Sequence, residues 1–223
     1  MKFENKVVLI TGAGRGSGRQ LAEAFAEQGA GVALNDISPQ NIETAAAEIN
    51  ARGGKTKTYV DDIAKKVAVQ ALVNQVEDDF GRIDVLINHA MVEPHTPLLD
   101  MDEWDWHRTF DVNLTGPFLA MQSVGRVMRE KEGGVMINLA SIQGGTDQLN
   151  RSAYIASLFG LVGLTRQAAR ELFAYGIRVH AVGRGLSRFQ NTGTTVPSDL
   201  IGAVLFLCSP RAAHLTGHIV NVP

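Results

Sequence analysis

Val7-Val8-Leu9-Ile10-Thr11-Gly12-Ala13-Gly14-Arg15-Gly16-Ser17-Gly18 decides the fold: a short apolar, β-branched run, then a turn rich in glycine, then a segment of helical period. Glycines allow a tight turn and a close approach of a ligand to the main chain, while free amides at a helix start face an anion. A glycine run by itself also marks plain turns. Here it follows a strand and opens a helix, and Asp36 ends the next strand twenty residues after Gly16. That is the spacing of an acidic group that accepts hydrogen bonds from the ribose of an adenine dinucleotide.

Outward from this stretch the same alternation repeats. Residues 7–10, 31–35, 56–60, 83–87, 135–139, 177–182 and 218–222 read as strands. Between them, residues 18–28, 41–51, 64–79, 103–129, 153–174 and 199–208 carry a helical period. Strand–helix alternation implies right-handed crossovers and a parallel sheet covered on both faces. The strands read as near-continuous apolar runs, as a doubly buried sheet requires. The expected fold is therefore α/β, a doubly wound parallel sheet of Rossmann type with seven strands and helices on both faces. No linker, repeat or low-complexity tract divides the chain, so one domain over residues 1–223 is expected.

Composition narrows the function classes. Hydrophobic residues make up 45% and charged residues 20% of the 223, the usual mix for a globular protein. A formal net charge of −2 gives no electrostatic case for nucleic acid or an anionic membrane as partner. The lone cysteine, Cys208, cannot form an intramolecular disulfide, and the apolar run 7–10 is too short for a signal segment or a span. A cytoplasmic location is the expectation. His95, His107, His180, His214 and His218 lack metal-ligand spacing, and Trp104 and Trp106 read as packing or interface residues.

At this point several motifs align in order. TGAGRGSG resembles the TGxxxGxG signature of short-chain dehydrogenases/reductases. Asp62-Ile63 stands where that family holds the adenine ring, and Asn88-His89-Ala90-Met91 where it has NNAG. Asn113 lies in DVNLTG, Ser141 in NLASIQG, and Tyr154 in YIASL thirteen residues after Ser141, the family interval. The resemblance runs from Lys6 to about Val182. It implies a cofactor site of Gly12, Arg15, Gly16, Ser17, Gly18, Asp36, Asp62, Ile63 and Asn88, and a catalytic set of Ser141, Tyr154 and Asn113. In the family the tyrosine exchanges a proton with the substrate oxygen, the serine holds that oxygen, and the asparagine keeps a relay water. Asp36 suits the 2′-hydroxyl of NAD and repels a 2′-phosphate. Arg15 pulls toward NADP, but Ile37 adds no second positive charge, so NAD is the expected cofactor.

The chain also departs from the family. The lysine four residues after the tyrosine, which holds the nicotinamide ribose and lowers the tyrosine pKa, is Leu158 here. A free tyrosine titrates near ~10, so without a neighbouring cation only about one in a thousand is phenolate at neutral pH. His89 and Met91 replace two NNAG positions, Arg184-Gly185 replaces Pro-Gly, and Phe189 stands near the place of a carboxamide-binding threonine. The stretch 185–197 is shorter than the family's substrate-covering segment, and the chain ends Val220-Asn221-Val222-Pro223 without Asp-Gly-Gly. The adenosine half of the site reads as intact and the nicotinamide half as eroded. Arg184 reads as a solvated loop residue and is the best candidate should another cation replace the lysine, and His89 reads as a strand-end residue rather than a new acid/base. Two functions fit: an NAD-binding oxidoreductase acting on a small-molecule hydroxyl/carbonyl pair with a weakened or rewired relay, or a catalytically inactive subunit supporting an active partner. In the family, helices such as 103–129 and 153–174 pack as a four-helix interface, so a homo-oligomer, or a hetero-oligomer with a related chain, is expected.

Overall fold

The computed structural model describes residues 2–131, 133–140, 149–184 and 199–222. In chain order the elements are β1 (Val7–Thr11), α1 (Gly16–Glu27), β2 (Gly31–Asp36), α2 (Pro39–Ala51), β3 (Lys55–Val60), α3 (Lys66–Phe80), β4 (Val85–Asn88) and α4 (Glu103–Phe110). They continue as α5 (Gly116–Glu130), β5 (Gly134–Leu139), α6 (Ser152–Leu172), β6 (Ile177–Arg184), α7 (Leu200–Cys208) and β7 (Ile219–Val222). The strands form one sheet in the order β3-β2-β1-β4-β5-β6-β7. Every neighbouring pair is parallel.

Period two along the strands sorts side chains into two layers. Val8 and Ile10 of β1 join a core with Leu21 and Phe25 of α1, Ile42 of α2 and Leu207 of α7. Val7 and Leu9 face the opposite layer, with Leu72 and Val76 of α3 and Val124 and Met128 of α5. Because β4 pairs on the other side of β1 from β2, the crossovers reverse direction between β1 and β4, and the carboxyl ends of these strands open a crevice there.

Two elements differ from the sequence reading. β3 is not an apolar run: Lys55, Lys57 and Thr58 are exposed and Tyr59 alone is buried. It is the sheet's edge, where lysines discourage pairing with another chain. The helix expected over 103–129 is broken by a π-helical turn at Asp111–Thr115, between α4 and α5. Asn113 sits in that turn, fully buried, and pairs with the Val92 main chain in both directions. Its Oδ1 accepts from Val92 N at 2.9 Å, and its Nδ2 donates to Val92 O at 2.9 Å. The same Nδ2 also donates to Ser157 Oγ at 3.1 Å. Three such bonds, at about 1 kcal/mol each, offset the irregular turn and fix the segment after β4.

The far side of the sheet holds an acid-sensitive element. His180 of β6 has no exposed surface, its ring centroid is 5.9 Å from that of His218, and Arg178 Nη1 lies 3.4 Å from its Nε2. Burial, then the Arg178 charge, push the His180 pKa down to about 3. An unfolded histidine binds a proton near pH 6.5, so between pH 6.5 and 3 the unfolded chain holds more protons and stability falls as pH falls. We expect urea unfolding to show that His180→Asn loses about 2 kcal/mol less stability than the parent between pH 7 and pH 5. Equal losses in the two proteins would contradict a neutral buried His180.

Candidate functional site

The first turn of α1 is left open by its own sequence. Arg15 occupies the N-cap in an extended conformation without a side-chain cap, and no acidic residue follows in the first turn. The amides there have no intrahelical partner and face the crevice at β1 and β4. Gly12 takes φ +67° and Gly16 φ +57°, left-handed values that favour glycine. Gly12 and Gly18 are also needed for space. A Cβ on Gly12 would stand 2.8 Å from the Ala90 Cα, and one on Gly18 would strike the Gly12 carbonyl and stand 2.6 Å from His89 Nδ1. The turn thus rests on the end of β4, and Thr11 Oγ1 locks the pair by accepting from His89 N at 3.1 Å and Ala90 N at 3.2 Å.

A groove of about 510 Å³ runs along this junction. Gly12, Arg15, Gly16 and Ser17 line it on the turn side, Asp36 at the end of β2, and Asp62 and Ile63 beyond β3. Asp36 is held ready by two main-chain donors: Gly14 N to Oδ2 and Ser38 N to Oδ1, both at 2.9 Å. Each oxygen keeps a second lone pair for a further donor. Asp62 Oδ1 accepts from Ala64 N at 3.1 Å, and its Oδ2 takes Arg108 Nη1 at 3.0 Å. Arg108 projects from α4 and lines the groove as well, which no local pattern in the sequence signalled.

Two of the expected cofactor residues stand behind the groove rather than along it. Gly18 is buried under the His89 ring. Asn88 is buried in the sheet, with Nδ2 donating to Asn138 Oδ1 at 2.8 Å, and Asn138 donates in turn to Thr165 Oγ1 at 2.9 Å. That chain of amides ties β4 and β5 to α6. The NNAG-like segment meets the groove through its other members, since His89, Ala90 and Met91 line it.

The other end of the groove closes on apolar side chains. Met91 packs against a cluster of Tyr154, Leu158, Leu161, Val162 and Ala181, in which Leu158 has no exposed surface. Tyr154 is 4% exposed. Burial, then the Glu93 charge, raise its hydroxyl pKa to about 12, while Arg151 pulls the other way. Arg151 stands over the ring at 6.0 Å from its centroid and pairs with Glu93 at 2.6 Å. The cation beside Tyr154 among the described residues is thus Arg151, over the ring face, with much of its field spent on Glu93. Ser141, Phe189, the segment 185–197 and the side chain of Arg184 lie outside the described residues.

With the geometry in place, the comparisons with known proteins agree on the class. The short chain dehydrogenase family model matches residues 6–197. The chain is 37% identical to the (2S)-[(R)-hydroxy(phenyl)methyl]succinyl-CoA dehydrogenase subunit BbsD of Thauera aromatica, covering 100% of this chain and 96% of that protein. It is 32% identical to a 3-oxoacyl-[acyl-carrier-protein] reductase of Thermotoga maritima, over 100% of this chain and 98% of that one. The crystal structure of NAD⁺-bound xylitol dehydrogenase superposes with a TM-score of 0.89 at 29% identity, covering 100% and 99% of the two chains. The chain belongs to the short-chain dehydrogenase/reductase family, a family of oxidoreductases.

The crowding at Gly18 gives a direct check on the site. Gly18→Ala must displace either the Gly12 carbonyl or the His89 ring, and overpacking of this kind costs roughly 1–3 kcal/mol. We expect a lower urea midpoint with an unchanged denaturant slope. A midpoint equal to the parent's would mean that His89 and the turn are not in contact.

Proposed function

We propose that the chain binds NAD(H) and acts on a hydroxyl/carbonyl pair of a small molecule, with a proton step weakened by the loss of the family lysine at Leu158. The observation that carries this reading is the Asp36 carboxylate, held by Gly14 N and Ser38 N at the mouth of the groove. A fixed carboxylate there favours two ribose hydroxyls and opposes a 2′-phosphate. The NAD⁺ in the xylitol dehydrogenase structure supports the same choice.

When bound at this site, the nicotinamide cofactor would supply or accept the hydride. Asp36 would hold the adenosine ribose, the α1 amides and Ser17 the pyrophosphate, and Asp62 and Ile63 the adenine edge. Tyr154 would exchange the proton with the substrate oxygen, and Ser141 would orient that oxygen. With a hydroxyl pKa of about 12, only about one Tyr154 in a hundred thousand is phenolate at neutral pH. The two directions of the reaction slow together, because one proton step serves alcohol oxidation and, in reverse, carbonyl reduction.

A second reading has its own support: an inactive chain that assembles with an active relative. Leu158 is sealed in an apolar cluster, and a groove of about 440 Å³ between α5 and α6 carries Phe118 and Tyr175, 44% and 46% exposed. The Thauera relative is itself named a subunit.

Two variants test the proposal. Asp36→Ala should weaken NADH binding, read by calorimetry, by roughly 1.5–3 kcal/mol, the scale of hydrogen bonds to a charged group; an unchanged affinity would remove the adenosine ribose from this position. Leu158→Lys should raise NAD(H) turnover on a panel of small ketones and alcohols by at least about tenfold, and adding Tyr154→Phe should abolish the gain. If Leu158→Lys stays as inert as the parent while its crystals with NADH show ordered nicotinamide, the inactive-subunit reading takes its place.

A further inference from the structure

His89 stands at the end of β4 and is the one titratable ring in contact with the glycine turn among the described residues. Its Nε2 lies 2.9 Å from Ser17 Oγ, and its ring occupies the space a side chain at Gly18 would need. Its Nδ1 is buried beside Gly12 without a hydrogen-bond partner of good geometry. Ser17 in turn lines the groove at the open start of α1.

The proton on this contact decides what Ser17 can offer a ligand. A serine hydroxyl has one proton to give. When Nε2 is bare, Ser17 donates to it and turns lone pairs toward the groove, where a phosphate oxygen would be repelled. When Nε2 carries a proton, it donates to Ser17 Oγ and frees the hydroxyl to donate to phosphate. The imidazolium does this and adds a positive charge beneath the turn, with Nδ1–H directed at the Gly12 main chain.

We propose that His89 takes up a proton when the pyrophosphate of a dinucleotide settles on the turn at Gly16 to Gly18, so that nucleotide affinity falls as pH rises. The inference rests on the dinucleotide reading and adds its regulation. In the free chain burial pushes the His89 pKa below its usual value, against the opposing pull of the Gly12 main chain and the Asp36 charge. The charged groups around the ring are Arg15 on the turn and Asp36 at the end of β2, with Asp61, Asp62 and Arg108 across the groove. Arg15 opposes protonation, Asp36 favours it, and Arg108 pairs with Asp62. A bound pyrophosphate adds negative charge to this partly buried site and raises the ring's pKa. Between the free and bound values, binding consumes protons.

Calorimetry of NAD⁺ binding, at pH 6 and pH 8 in buffers of different ionisation enthalpy, tests this on the intact chain. NAD⁺ has no group that titrates in that range. The parent should take up roughly 0.3 proton or more at pH 6 and bind at least about threefold more tightly there than at pH 8. His89→Asn should show buffer-independent heat and a flat pH profile. If that variant fails to fold, ¹⁵N shifts of the parent's His89 ring decide: both nitrogens should become protonated in the complex. Binding without proton uptake, or equal uptake in His89→Asn, overturns the inference and leaves the nucleotide reading standing. No binding by the parent at either pH overturns both.

Discussion

The contact between the glycine turn and the end of β4 is the constraint on which the rest of the site depends. Gly12 and Gly18 lie against Ala90 and His89 so closely that neither position has room for a Cβ. Thr11 Oγ1 fastens the same junction by taking the amides of both residues. Because β1 and β4 are also adjacent and parallel, their carboxyl ends are held in one register, and the start of α1 is aimed over the crevice between them. The open amides of α1, the doubly held Asp36 and the Asp62–Arg108 pair are all arranged around this junction. A shift of the turn by the width of a methyl group would disturb all of them together.

From that junction the groove has two unlike ends. Toward β2 and β3 it is polar, and Asp36 and Asp62 are held there by main-chain donors, so little order remains to be imposed on them when a ligand arrives. Toward α6 it closes on Met91 and the cluster around Leu158. An alkyl side chain at Leu158 contributes to packing where a lysine would have supplied a charge, and burial, then the Glu93 charge, raise the Tyr154 pKa. Arg151 does not replace that charge, because it lies over the ring face and is paired with Glu93. The two ends of the groove are therefore built on different principles: the polar end is ordered by main-chain donors to Asp36, and the opposite end is packed around an apolar core.

Much of this was legible in the sequence because it is local. The turn Thr11 to Gly18, the acidic residue at the end of β2 and the alternation of strands and helices carry the sheet and the polar end of the groove. What escaped depends on distance or on tertiary bonds. A helical period over 103–129 has no means of showing that Asn113 leaves the regular ladder to pair with Val92. Asn88 looked like a cofactor ligand by motif, but its amide is turned to Asn138 on the neighbouring strand. Arg108 with Asp62, Arg151 with Glu93 and His89 with Ser17 are far apart in sequence, and each pairing exists only because the fold brings its partners together. The edge character of β3 is written in its own residues, since Lys55 and Lys57 suit an exposed edge, but they are passed over when every strand is read as an apolar run.

The most direct test of the central claim is a crystal structure of the chain grown with NADH. The account predicts adenine beside Asp62 and Ile63, ribose hydroxyls on Asp36, and pyrophosphate on the amides at the start of α1. Nucleotide bound in the reverse sense, with adenine against Met91, or bound elsewhere while this groove stays open, would contradict it.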